Sequence, residues 1–162
     1  MLINRIIINS SPLIVLFKSQ KSELLPQLFT EILVPEGVFE EVTQGRAEDM
    51  ASRQLSTVPW IKRVIIDSMA PEVAAWDLGK GESQVLSLAL KHSDYAAIVD
   101  DRAARRCGQS LNIITMGTGG LLILAKKRGL ISSISPGIEA LLNAGLWLSD
   151  NMIKILKQQA GE

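Results

Sequence analysis

The sequence predicts a single α/β domain built on a mainly parallel sheet of five strands with helices on both faces. Three observations carry this expectation. The chain has 162 residues, the size of one domain. Its composition, 47% apolar and 21% charged with 12 Gly and 6 Pro, is ordinary for a globular protein and excludes collagen-like, disordered and low-complexity chains. Short apolar runs alternate with helical patterns, with no long Pro/Ser/Gly linker and no internal repeat.

The first strand spans Arg5 to Ile8. Pro12, behind Ser11, marks the first turn of a helix, where a missing N–H costs nothing. Ile32 to Val34 is the second strand, and Pro35 behind it opens a helix in the same way. Ile61 to Ile66 reads as an edge strand, Ala96 to Val99 and Leu111 to Ile114 as the last two strands. Gly108 and Gly129 read as helix stops. Two helices, about Pro136 to Ala144 and Ser149 to Gln159 with Gly145 between them, form a C-terminal extension (about 136–160) of the single domain 1–162. Their apolar residues, Trp147 among them, exceed one buried stripe, so part of that surface is expected in a homo-oligomer interface.

The single cysteine, Cys107, permits no intrachain disulfide and suits a reducing compartment. With His92 the only histidine, His-rich zinc sites and Cys/His clusters are excluded, so a catalytic metal would need oxygen ligands. The run from Ile6 to Phe17 imitates a signal-peptide core but contains Asn9, two serines and Pro12 and lacks a cleavage site. The charge-free run Ser110 to Ala125 holds three glycines and falls short of the ~20 residues of a spanning helix. A cytoplasmic protein without a membrane partner is expected.

Lys plus Arg and Asp plus Glu both number 17, so net charge leaves no nucleic-acid footprint, and 4% aromatics argue against an extended stacking platform. Charge is nevertheless uneven. Glu31 to Asp49 holds six acids against Arg46, whereas Arg102 to Gly137 holds six basic residues and no acid, so the two regions could face each other across a site. The alternative is that Arg105, Arg106, Lys126, Lys127 and Arg128 complement macrodipoles in the last turns of helices.

In an open parallel sheet, ligands bind beyond the carboxyl ends of the strands. Asn9, the pair Asp100 and Asp101, and Thr115 each directly follow an expected strand. Helical periodicity adds two acids. Glu82 heads an inward series with Val85, Leu86 and Ala89, and Glu41 lies about 60° from the buried Val38 whereas Glu40 lies about 160° away. Asp100 heads the apolar series Ala103, Ala104, Cys107, which favours it over Asp101. Each residue also has an ordinary structural use, as an N-cap, an Asx turn, a helix-terminus acid or a solvated carboxylate. Their joint convergence on one sheet edge would call for a hard cation.

Other motifs fail. Gly117, Gly119 and Leu122 miss the third glycine of G-x-G-x-x-G, Gly79 to Ser83 lacks the P-loop ending, and a Ser/His/Asp hydrolase would have to use His92, at a helix end beside Lys91.

The segments I-I-I-N-S-S-P-L-I at 6 to 14, V-P-E-G-V-F-E-E-V at 34 to 42, G-K-G-E-S-Q-V at 79 to 85, V-D-D-R-A-A-R at 99 to 105 and G-T-G-G-L-L-I-L-A-K-K-R-G-L-I at 117 to 131, in this order, resemble a PIN-domain-like family. The resemblance is to an uncharacterised prokaryotic branch, similar to toxin-type ribonucleases, and covers nearly the whole chain. It implies a three-layer α/β/α fold and an endoribonuclease with a Mg²⁺ or Mn²⁺ site. By position it implies Asn9, Glu41, Glu82 and Asp100 or Asp101 as the catalytic set, with Glu41, Glu82 and Asp100 on the metal. Ser10 and Thr115 would support them, and Arg102, Arg105 and Arg106 would engage RNA phosphates. The implied partners are RNA and an antitoxin-like protein. Asn9 departs from the family, which generally has aspartate there, and an amide removes one negative charge from the site. A degenerate PIN-like binding module is therefore the alternative to an active ribonuclease.

Overall fold

The computed structural model describes residues 3–44 and 50–162. Arg46, Glu48 and Asp49 of the acidic stretch lie outside them. The strands β1 (Arg5–Ile8), β2 (Glu31–Pro35), β3 (Ile61–Val64), β4 (Ala96–Ile98) and β5 (Thr115–Met116) form one parallel sheet in the order β3-β2-β1-β4-β5. Ile6, Ile7 and Ile8 are all fully buried, because β1 is central and covered on both faces, as an unbroken apolar run requires.

The helices are α1 (Ser10–Lys18), α2 (Leu24–Leu28), α3 (Glu36–Thr43), α4 (Met50–Gln54), α5 (Pro71–Ala74), α6 (Lys80–Lys91), α7 (Arg102–Ser110), α8 (Thr118–Lys127), α9 (Ser135–Asn143) and α10 (Asp150–Gln159). α1 packs on α3 and α4, α3 also packs on α6, α6 lies against α7 and over β1, β2 and β4, and α8 lies beside α2. The result is a three-layer α/β/α domain. The chain leaves β1 toward β2 on one side and reaches β4 on the other, so the topological switch point lies between the carboxyl ends of β1 and β4.

Several expected boundaries move. The fifth strand is Thr115–Met116 rather than Leu111–Ile114, because α7 runs through Gly108 to Ser110 and stops at Asn112 in the left-handed region, φ 60°. Gly108 is no stop. A Cβ there would stand 2.5 Å from the Thr115 methyl, so glycine is needed for helix and strand to approach. Consequently Arg105 and Arg106 lie inside α7 rather than in a last turn. Pro35 ends β2 and serves as N-cap of α3 rather than lying in its first turn, and β3 ends at Val64. Gly129 does end α8, with φ 76°.

The C-terminal hairpin is tied down along α8. A Cβ on Gly137 would touch Leu122 at 3.0 Å, and one on Gly119 would touch Leu156 at 2.7 Å. Lys126 donates to the Ala160 carbonyl at 2.7 Å and to Glu162 at 2.9 Å, and Glu162 also accepts from Ser133, Ser135 and the Ile134 N–H. Arg128 donates to the carbonyls of Leu28 and Ile3. Lys126 and Arg128 are thus committed to the amino-edge side of the domain and do not face the acidic helix α3. Ile138, Leu141 and Leu156 are buried and Leu142, Leu146, Leu148 and Ile153 pack on the core, so most of the apolar surface assigned to association is used within the chain.

Two consequences can be measured. Buried Gln84 of α6 accepts the Gly37 N–H of α3 at 2.7 Å. Gln84→Leu keeps the volume but strands that donor, so urea denaturation should show about 1–3 kcal/mol lost, and an unchanged midpoint would refute the cap. The donors around Glu162 hold its carboxyl well below its ordinary value of 4.5, Ser133 contributing most. A depressed folded value means the stabilisation is complete above about pH 4.5 and lost as pH falls toward the folded value. The urea midpoint gap between wild type and Glu162→Gln should therefore be widest near neutrality and narrow steadily below pH 4.5. A gap constant from about pH 7 to 3 would contradict it.

Candidate functional site

Asn9 follows β1 at the switch point. Its N–H donates to the Ile98 carbonyl of β4 at 3.1 Å, which holds the residue between the two strands, and it is 2% exposed. It is the N-cap of α1, yet its side chain makes no cap hydrogen bond. An N-cap amide normally accepts from the N–H two or three residues on, and the residue three on is Pro12, which has none. The Asn9 Oδ1 is left buried without a partner, the one such side-chain atom among the described residues. An orphaned buried acceptor costs about 1–3 kcal/mol, a cost that a ligand at this atom would remove. The Asx-turn reading of Asn9 does not account for it.

Glu41 reaches the same place from α3. Although the residue is exposed, its carboxylate turns inward, accepting from Ser10 Oγ at 2.8 Å and from the Gly81 N–H at 3.0 Å. A Cβ on Gly81 would stand 2.8 Å from both Glu41 oxygens and 3.1 Å from Asn9 Oδ1, so the second residue of α6 must be glycine for these groups to meet. Glu40 points away and pairs with Lys80 at 3.6 Å. Ser10 thus supports Glu41.

The other acids are arranged separately. Glu82, half-buried in the first turn of α6, folds back over Gly79, where a Cβ would stand 2.5 Å from its Oε2. Asp100 accepts from the Thr118 N–H at 2.7 Å and from Thr118 Oγ1 at 2.6 Å, which pins it to the N-terminus of α8. Asp101 is the N-cap of α7, accepting from the Ala104 N–H at 2.9 Å. Thr115 does not follow the last strand but lies within it, its methyl against Gly108. Buried Thr118 takes the supporting place, and the sequence reading missed it because it started the fifth strand four residues and ended it two residues too early. The Gly-Thr pair opening a helix was the available signal.

Every acid therefore sits at a helix N-terminus, Glu41 and Glu82 at α6, Asp100 at α8 and Asp101 at α7, where free N–H groups and the macrodipole favour negative charge. Among the described residues, no three His, Cys, Asp or Glu side chains stand close enough to hold a metal ion together. The hard oxygens brought to one point are Asn9 Oδ1 and the Glu41 carboxylate, which share the space a Gly81 Cβ would fill. They fit an oxophilic cation that keeps part of its water shell, as Mg²⁺ does with one or two protein ligands.

Arg102, exposed, and Arg105, half-buried, belong to the same edge through the N-terminal half of α7. A Cβ on Gly117 would stand 3.1 Å from Asp100 Oδ1 and 3.5 Å from Arg105 Nη1, yet Arg105 makes no ion pair with Asp100 because Thr118 occupies it. Arg106 is exposed further along the helix.

Gly81→Ala should separate site from stability. The clashing atoms are the tip of a flexible glutamate, and alanine gains about 1 kcal/mol in helix propensity, so the urea midpoint should stay within about 1 kcal/mol of wild type. Glu41 should leave Asn9, and any thermal stabilisation by Mn²⁺ should be lost. A variant that responds to Mn²⁺ as wild type does would dissociate Glu41 from cation binding.

No curated protein matches this chain significantly. A family model described as a PIN domain matches residues 5–162, in agreement with the three-layer parallel fold, its switch-point site and the order of its motifs. The chain belongs to the PIN-domain family, a fold of nuclease type.

Proposed function

We propose that this protein is a Mg²⁺- or Mn²⁺-dependent endoribonuclease, the toxin component of a toxin–antitoxin pair acting in the cytoplasm, with RNA as substrate, an antitoxin-like protein as partner and a homo-oligomeric state. The observation that carries the proposal is the partnerless buried Asn9 Oδ1 beside the Glu41 carboxylate at the sheet's switch point. Asn9 and Glu41 would hold the cation, with Asp100 and Glu82 reaching it through its water shell. A divalent cation bound there supplies a polarised phosphoryl oxygen and a more acidic water for phosphodiester hydrolysis. Ser10 orients Glu41, and Thr118 orients Asp100. Asp101 caps α7 and so aims Arg102 and Arg105 along the edge, where their guanidinium groups can bind the phosphates flanking the scissile one. No helix among the described residues is long and apolar enough to cross a membrane.

A second reading, a PIN-like module that binds RNA or a partner without turnover, is favoured by one feature. The Glu41 and Asp100 carboxylates are already satisfied by helix N–H groups and hydroxyls, and Asn9 supplies no charge where the family generally has an acid.

Two measurements decide between them. Mn²⁺ should raise thermal stability by RT ln(1 + [M]/Kd), about 2.7 kcal/mol at 100 Kd, and the increment should vanish in Glu41→Gln and shrink in Glu82→Gln. Asn9→Asp should tighten Mn²⁺ roughly tenfold by adding a charged ligand. Metal-dependent cleavage of a generic RNA, abolished in Glu41→Gln, together with growth arrest on expression that the same variant relieves, is the expected outcome. Mn²⁺ binding without cleavage in wild type and Asn9→Asp selects the second reading.

A further inference from the structure

The carboxyl edge carries an aromatic group that the site described above does not use. The chain has three tryptophans. Trp60 stacks on Phe17 at 6.1 Å with the rings within 10° of parallel and belongs to the core. Trp147 is 82% exposed, the most exposed large apolar residue among those described. The indole is exposed although Leu146 and Leu148 on either side both pack on the core.

Its place in the fold follows from the contacts along α8. That helix starts at the carboxyl edge, where Gly117 and Thr118 touch Asp100, and runs away from it toward Lys126. Gly137, early in α9, meets Leu122, and Ser133 and Ser135 share Glu162 with Lys126, so α9 climbs back toward the edge. Leu156 meets Gly119, and Ala160 meets Lys126, so α10 descends beside α8. Residues 144–149 are therefore the tip of the hairpin, and the first turns of α10 lie beyond the N-terminus of α8, at the carboxyl-edge end of the domain. Trp147 stands on that tip.

At the carboxyl edge, Arg102, Arg105 and Arg106 make no ion pair and no side-chain hydrogen bond among the described residues, whereas Arg5, Arg63 and Arg128 are all engaged. Guanidinium groups without a partner among the described residues, together with one exposed indole at the same end of the domain, match a chain with regularly spaced negative charges and free aromatic faces. Single-stranded RNA has both, whereas a duplex keeps its bases stacked away from a protruding side chain. We propose that Trp147 is a substrate-binding residue that stacks on an unpaired base while the α7 arginines hold the adjoining phosphates. The proposal rests on the RNA-processing reading above for its substrate but needs no metal and no turnover.

The test is binding of a fluorescein-labelled 12-nucleotide oligo(U) and of a 12-base-pair RNA duplex, by anisotropy in EDTA, with the 162-residue chain. Trp147 is on the surface, so Trp147→Ala should fold normally, as its far-UV circular dichroism will show. Trp147→Ala is expected to weaken oligo(U) binding about tenfold, with Trp147→Phe restoring most of it, and to leave duplex binding unchanged. Arg102→Ala should weaken both ligands and flatten the salt dependence by about one unit of slope. Wild-type tryptophan fluorescence should be quenched by oligo(U), and less so in Trp147→Phe. Equal oligo(U) affinity for wild type and Trp147→Ala overturns the proposal, as does wild type that binds no oligo(U). A Trp147→Ala that instead lowers the mass seen by light scattering also overturns it, showing the indole to be covered by a second copy. The two readings fail separately. Trp147-dependent binding without cleavage defeats the nuclease assignment alone, and cleavage indifferent to Trp147 defeats this proposal alone.

Discussion

Everything at the candidate site depends on the backbone of β1. As the central strand it is hydrogen-bonded to β2 on one side and β4 on the other, and its three isoleucines are fully excluded from water. A strand committed on both edges and both faces cannot slide, because a shift of one residue would reverse every side chain. The residue that emerges from it is therefore placed with the precision of the core, and that residue is Asn9. The switch between leftward and rightward connections opens the sheet just there, and Pro12 withholds one of the two N–H donors an N-cap amide oxygen normally accepts from.

Around this fixed point the acids are arranged by close approach and by helix termini. Glycines at 79, 81 and 117 let carboxylates lie against the first turns of α6 and α8, within reach of N–H groups that no intrahelical carbonyl satisfies. Their charge is thus partly compensated before any cation arrives, and the positions of the carboxylates are held by neutral donors rather than by arginine. That division leaves the guanidinium groups of α7 without carboxylate partners among the described residues. Positive charge beside the site is then available to an external anion instead of being spent inside the protein.

The C-terminal hairpin adds an asymmetric wall. Close contacts at Gly119 and Gly137 let α9 and α10 lie near α8, and the donors converging on Glu162 clamp the far end. The clamp is remote from the carboxyl edge, so the tip near that edge is positioned by packing while remaining open to solvent. A surface element held rigidly at its base and exposed at its end suits contact with an extended ligand better than it suits catalysis.

Much of this was legible in the residues alone. Unalternating apolar runs at Arg5 to Ile8, Ile32 to Val34 and Ala96 to Val99 identify buried parallel strands, since local pattern reports burial directly. Helical phase likewise picks Glu41 over Glu40 and favours Asp100 over Asp101 for the edge. What the sequence could not decide are matters of contact between distant segments. The fifth strand is two residues long and is defined by pairing with β4 rather than by its own apolarity, so its start was misplaced and Thr118 overlooked. Gly108 and Gly81 look like stops or spacers locally, but their function is to admit Thr115 and Glu41 from other elements. The exposure of Trp147 is equally tertiary, because an apolar residue in a helical hairpin reads as core until the neighbouring helices are in place. Periodicity reveals which face of an element turns inward, whereas only the packed chain determines which groups meet there and which are left without a partner.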